Sequence, residues 1–163
     1  MSAPRSHVSK YKAVSVYGVN QRDRSGDKPY GFWYEVDGSW QDWCASNQAD
    51  WLEGRWLHKV TLGNERILMI TNLADFDAFS QKCGSNEGLP GSFLWPKDYY
   101  IDWQQVAEEY DGIEIAPYFW ERRMTCSWYY TWDVASGCIW RPQGVAVSLI
   151  GEVQPVLVDS LEE

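Results

Sequence analysis

Carboxylates set among aromatic rings are the groups in this sequence whose type and spacing suggest chemistry. Between residues 110 and 147 lie Asp111, Glu114 and Asp133, with Trp120, Trp128, Tyr129, Tyr130 and Trp132 among them. Two short apolar stretches, 112–118 and 136–141, flank the aromatic run, and each is set off by a Gly. A buried strand bordered by acids and rings is how many small-molecule pockets are built. The plainer alternative is a core that happens to use Trp. Asp133, between Trp132 and Val134, is the favoured acid: Asp is seldom buried without a partner, and rings around it raise its functional value. A turn-forming or capping role is its ordinary alternative. Glu114 alternates with Ile113 and Ile115, which places it on the solvent face of a strand. Glu35 follows Trp33 and Tyr34 on another short strand. Cys138 reads as a small buried residue with no His near it in sequence to activate it. No Gly-rich phosphate loop, HExxH or GxSxG is present. Cys44, Cys83, Cys126 and Cys138 form no C-x-x-C pair, and His7 and His58 are the only His, so the sequence gives little support to a zinc site.

The bulk numbers narrow the partners. At 163 residues the chain fits one domain, expected to span 1–153, with an acidic tail at 154–163. It holds 11 Trp, each able to bury roughly 150–250 Å². Aromatic clusters therefore supply burial that Leu and Ile supply elsewhere. The 14 basic and 23 acidic side chains leave a net charge of −9. That charge opposes direct contact with nucleic acid or an anionic membrane, and it suits a protein partner with a basic patch. No signal-peptide apolar region and no run of the roughly 20 apolar residues that span a bilayer is visible. The expected compartment is the cytoplasm, with reduced thiols.

The elements that must position these groups follow from periodicity and capping. Residues 7–19 alternate most clearly at Val14, Val16 and Val19 and read as a first strand or strand pair. Residues 20–29 read as a charged loop in which Arg22 and Arg24 make a local basic spot. Residues 31–36 read as a strand closed by an Asp37-Gly38 turn. Ser39 reads as an N-cap with Asp42 in the capping-box position, followed by a helix that turns Trp40, Trp43, Cys44 and Trp51 to one side. Residues 56–62 and 66–70 read as a hairpin around Gly63-Asn64. Asn72 with Asp75 caps a second helix that ends on Gly84 at C′. Residues 84–98 form a loop long enough to suggest a lid. Asp102 with Gln105 caps a third helix, Asp111-Gly112 leads into the strand 113–115, and a final strand pair turns at Pro142–Gly144. The expected fold is a single α+β domain with twisted, mainly antiparallel sheets and about three helices.

Several motifs resemble a group of phage- and prophage-type proteins of largely uncharacterised function. They are His7-Val8-Ser9, Lys28-Pro29-Tyr30-Gly31-Phe32-Trp33, Trp40 to Trp43, Tyr110-Asp111-Gly112-Ile113, and Trp132-Asp133-Val134-Ala135-Ser136-Gly137-Cys138-Ile139-Trp140. The order of parts is also similar to small ADP-ribosyltransferase-like domains. That resemblance implies NAD as cofactor, with His7 at the place that holds the nicotinamide ribose. Trp33, Tyr34 and Glu35 fall at the aromatic-Ser/Thr place, and residues 136–145 lie over the last motif. The implied cofactor-binding set is His7, Ser9, Gly31, Trp33, Tyr34, Tyr110 and Ser136. Two departures matter. The catalytic Glu of the last motif falls on Ser136, and the Ser/Thr of the aromatic-Ser/Thr motif falls on Glu35. A transferase needs a carboxylate near the ribose to stabilise the oxocarbenium-like charge that develops as nicotinamide leaves. Asp133, Glu114 and Glu35 are the candidates. The implied function is a transferase that modifies a host protein or nucleotide in the host cytoplasm. The alternative is a non-catalytic acidic protein that inhibits a host defence or nucleic-acid-binding factor.

Overall fold

The computed structural model describes residues 2–22 and 27–154. Arg24 and nearly all of the acidic tail fall outside them. The chain opens with β1 (Arg5–Ser9) and β2 (Phe32–Val36), then α1 (Ser39–Asn47), β3 (Trp56–Thr61), β4 (Ile67–Ile70) and α2 (Leu73–Cys83). Two very short strands follow, β5 (Gly84–Ser85) and β6 (Tyr100–Ile101), then α3 (Trp103–Glu109), β7 (Gly112–Ile115) and the single turn α4 (Trp120–Arg123). β8 (Ser136–Ile139) and β9 (Ala146–Glu152) complete the chain. β5 and β6 form a small ribbon of their own. The other strands make one sheet in the order β4-β7-β8-β2-β1-β3-β9, antiparallel throughout except for the parallel pair β4–β7. The chain is thus an α+β domain on a seven-stranded, mostly antiparallel sheet. Among the described residues no helix is long and apolar enough to cross a membrane.

Side-chain alternation divides the sheet into two faces. One face carries all the helices. Toward the β4 side, α2, α3 and residues 119–132 pack Phe76, Phe79, Trp103, Trp128, Tyr129 and Trp132 onto Ile113, Ile115 and Cys138. Ring centroids 4.8–6.4 Å apart, many edge to face, fill this core. Toward the β9 side, α1 packs Cys44, with Trp40 and Trp43 at its rim, against Leu57, Leu52 and Val153. The opposite face holds a smaller cluster of Tyr34, Val36, Val60 and Ile139.

Several expectations need correction. β3 and β4 do not form a hairpin; they lie far apart in the sheet, and residues 62–66 are a crossing connection. The Glu65 carboxylate pins that connection by accepting from the Gly63, Gln143 and Val145 amides. β8 and β9 likewise do not pair, because β9 runs along β3 at the far edge. The first strand is Arg5–Ser9 and stops well short of Val19, whose amide reaches only the Trp140 carbonyl. Asp37 and Gly38 adopt the positive φ the turn requires, but Ser39 does not cap α1; its hydroxyl donates to the Ala135 carbonyl at 2.6 Å. Asn72 and Asp102 do cap α2 and α3, each accepting from the amide three residues on. Gly84 is extended, not left-handed, and its missing Cβ makes room for Asp98.

Candidate functional site

Glu114 lies on the face without helices and is not solvated. It is 7% exposed, because connections cover this face of β7 as well. Its carboxylate accepts from Arg5 Nε at 2.6 Å and Nη2 at 3.1 Å, and from the Tyr34 hydroxyl at 2.8 Å. The three residues sit on β7, β1 and β2, so the contacts run across β8. Gly137 permits this: a Cβ there would collide with the Tyr34 ring, which lies across it. The Glu114 side chain holds the Arg5 guanidinium in its charged form, while burial, then Glu114, push the Tyr34 phenol far up. The trio is a buried structural ion pair, and Glu114 is removed from the site.

Between the two helical lobes the other face opens into a groove of about 240 Å³. Its wall comprises Ser6 and Val8 from β1, Trp33 and Glu35 from β2, Ser136 from β8, Trp40 from α1, the segment Trp132-Asp133-Val134, and Lys28. His7 and Tyr34 also reach the wall, although their side chains are engaged on the opposite face. The reason lies in the pairing. β1 meets β2 only at Arg5↔Val36 and Ser6↔Glu35 and then leaves it, while remaining paired to β3 as far as Ser9↔Trp56. In place of the ladder, His7 Nδ1 donates to the Trp33 carbonyl at 2.6 Å. The imidazole packs on Phe32 at 4.5 Å and stands 6.2 Å from His58. Burial lowers its pKa against the pull of the Trp33 carbonyl, and His58 lowers it further. The ring is therefore neutral at pH 7, with Nε2 an acceptor.

The acids of the groove differ sharply. Glu35 accepts four hydrogen bonds: Oε2 from the Trp40 and Gln41 amides at 2.6 and 2.9 Å, Oε1 from Ser6 Oγ at 2.9 Å and Gln41 Nε2 at 2.6 Å. It is the acceptor that closes the N-terminus of α1, the task expected of Ser39. A carboxylate so fully occupied has no lone pair to offer a ligand. Asp133 is half-buried and bonds through Oδ1 to Arg123 Nη1 at 3.0 Å. Arg123 is itself fixed by the Tyr118 hydroxyl and the Trp132 carbonyl. Among the described residues no donor meets Asp133 Oδ2.

The cation of the groove is Lys28. The residue is exposed as a whole, and its ammonium stands 5.6 Å from the Trp33 ring centroid. Desolvation lowers its pKa, while Asp133 and Asp27 act the other way. Trp33 meets Trp132 edge-on at 5.0 Å, and Trp40 has one face covered by Trp43, stacked at 5.2 Å and 6°.

Of the expected site residues, the groove wall gathers His7, Trp33, Tyr34, Glu35, Asp133 and Ser136. It leaves out four. Ser9 accepts from the Tyr11 amide at the end of β1. Gly31 is pressed against the Ile139 backbone. Tyr110 lines a separate cleft beside β4, α2 and α3. Glu114 is bound to Arg5. Residues 84–98 line none of the groove. Lys28, Trp40 and Val134 join the wall without having been singled out; Trp40 was legible only as a helix-face residue. Among the described residues no group of three or more His, Cys, Asp or Glu could hold a metal ion. No protein-family model matches the chain, and no curated protein or solved structure matches it.

Proposed function

We propose that the groove binds a nucleotide of the NAD type and that the chain is an ADP-ribosyltransferase-like domain. The observation that carries this reading is the groove itself: the half-buried Trp33 and Trp40 beside one ammonium, one carboxylate with an open oxygen, and the split between β1 and β2 where His7 stands. Flat rings suit a base, and Asp133 Oδ2 suits a ribose hydroxyl. With Glu35 committed to α1 and Glu114 on the other face, Asp133 is the acid left for transition-state charge. In that chemistry the C–N glycosidic bond of NAD breaks, nicotinamide leaves with the electron pair, and an acceptor nucleophile takes the ADP-ribosyl group and gives up its proton. Asp133 stabilises the intervening positive charge.

Titration calorimetry with NAD and a nicotinamide-release assay test the reading. Wild type is expected to bind and to release nicotinamide, and Asp133→Asn to bind with release reduced by a factor on the order of 100 or more. Absence of binding in the wild type ends the nucleotide reading.

A second reading has its own support. Ser136 stands where the related motif has its Glu, Asp133 is tied to Arg123, and the net charge is −9. On that reading the chain is a non-catalytic acidic inhibitor of a host factor with a basic surface. Its complex weakens steeply between low and high salt, and an affinity that ignores salt rules it out.

A further inference from the structure

Resting on the nucleotide reading, we infer that the groove is a mononucleotide-scale site: one flat base held among the indoles and one phosphate held by Lys28, with the remainder of any larger ligand outside. Two independent observations lead there. The first is size. The groove's volume of about 240 Å³ falls just below the roughly 300–1,000 Å³ typical of pockets that enclose a drug-sized ligand. A base with its sugar and one phosphate fills such a space, and a dinucleotide overfills it.

The second is an ammonium with no ion-pair contact. The two acids of the wall, Glu35 and Asp133, already have donors. Glu35 has the α1 amides, Ser6 and Gln41. Asp133 has Arg123 at 3.0 Å, and Arg5 and Glu114 neutralise each other beneath the sheet. Lys28 makes no ion pair within 4.0 Å among the described residues, although Asp133 and Asp27 favour its charge from farther off. Its ammonium leans over Trp33 at the cost of part of its hydration. A phosphate there restores a full ion pair in a partly dry place, where it is worth more than on open surface. Trp33, beneath the ammonium and edge-on to Trp132, joins the anion subsite to the ring subsite.

Asp133 places the nicotinamide ribose in the groove, so calorimetry with nicotinamide riboside, nicotinamide mononucleotide and NAD on wild type and Lys28→Met tests this. The mononucleotide is expected to bind within a few-fold of NAD and at least about tenfold tighter than the riboside, the worth of one charge-assisted contact. Lys28→Met is expected to bring the mononucleotide and NAD down to the riboside level. Equal binding of riboside and mononucleotide, or a mononucleotide affinity indifferent to Lys28→Met, overturns the role of Lys28 while leaving a nucleotide site. NAD binding tighter than the mononucleotide by more than about tenfold overturns the mononucleotide scale. No binding of any of the three overturns the nucleotide reading and this inference with it.

Discussion

Glu35→Gln separates a structural acid from a catalytic one. The four donors around Glu35 are divided evenly, two on each oxygen. A glutamine matches the shape and keeps its carbonyl oxygen on the Trp40 and Gln41 amides; its NH2 then faces the Ser6 hydroxyl, which can turn to accept, and the Gln41 side-chain amide, which can flip its oxygen inward. The loss is the negative charge, in a residue only 4% exposed. The two bonds to the backbone amides fall from charge-assisted to neutral, about 1 kcal/mol each, and the charge at a helix N-terminus adds about 0.3–1 kcal/mol. The expected loss is about 2–3 kcal/mol. For a chain of this size that lowers Tm by roughly 4–12 °C, readable by urea and thermal melts followed by near-UV circular dichroism. The same variant should loosen Trp40, whose amide Glu35 holds, and so blunt ligand-induced changes in Trp fluorescence. A Glu35→Gln protein that melts within about 2 °C of wild type refutes the capping role. Unchanged stability with lost nicotinamide release would point instead to direct chemistry at Glu35.

Arg5→Met leaves Glu114 buried with only the Tyr34 hydroxyl, and chemical denaturation should register a loss of about 3–5 kcal/mol; Tyr34→Phe, which spares the ion pair, should cost about 1 kcal/mol. Gly137→Ala drives a methyl into the Tyr34 ring, and yield of folded protein should fall more than for Gly151→Ala, where nothing lies nearby. Stability should also depend on pH through His7. Its folded pKa lies below the ordinary value near 6.5, so the unfolded chain binds more protons. The contribution is complete above about pH 6.5 and is lost as pH falls from there toward the folded pKa. Tm measured from about pH 5 to 7.5 should show a shallower slope in His7→Gln, and an unchanged slope contradicts the assignment. The thiols of Cys44 and Cys126 are pushed up to about 11 by burial, and Cys138 well above its usual value. A thiol reagent at pH 8 should therefore modify the four cysteines only after denaturant is added.

The helices were legible because their signals are local. Asn72 and Asp102 cap through their own side chains, and the residues they cap lie three positions on. α1 was placed correctly for an incomplete reason, since its cap sits before the turn on β2 and no spacing rule points from Glu35 to Trp40. Strand pairing was the least legible part. β3 and β4 are neighbours in sequence with a plausible turn, yet β4 pairs with β7 and β3 with β1 and β9. The core under the helices decides that, not the turn residues. Alternation failed at Glu114 for a related reason: the rule assumes one wet face, and all four residues of β7 are buried. In the groove, the acids and rings could be picked out by type. Lys28 was visible only as part of a motif, because nothing in the sequence places an ammonium from a charged loop over a ring on β2.

The short meeting of β1 and β2 carries a mechanical consequence. The sheet consists of two panels, β4-β7-β8-β2 and β1-β3-β9, sewn together at two residue pairs. Side chains reinforce that seam: Ser6 to Glu35 on the groove side, Arg5 to Glu114 on the other, and His7 to the Trp33 carbonyl where the ladder ends. The amides that cross the seam, those of Ser6, Glu35 and Asp37, should therefore exchange with solvent faster than those deep inside either panel. A ligand wedged at the seam should slow that exchange at a distance from its own contacts.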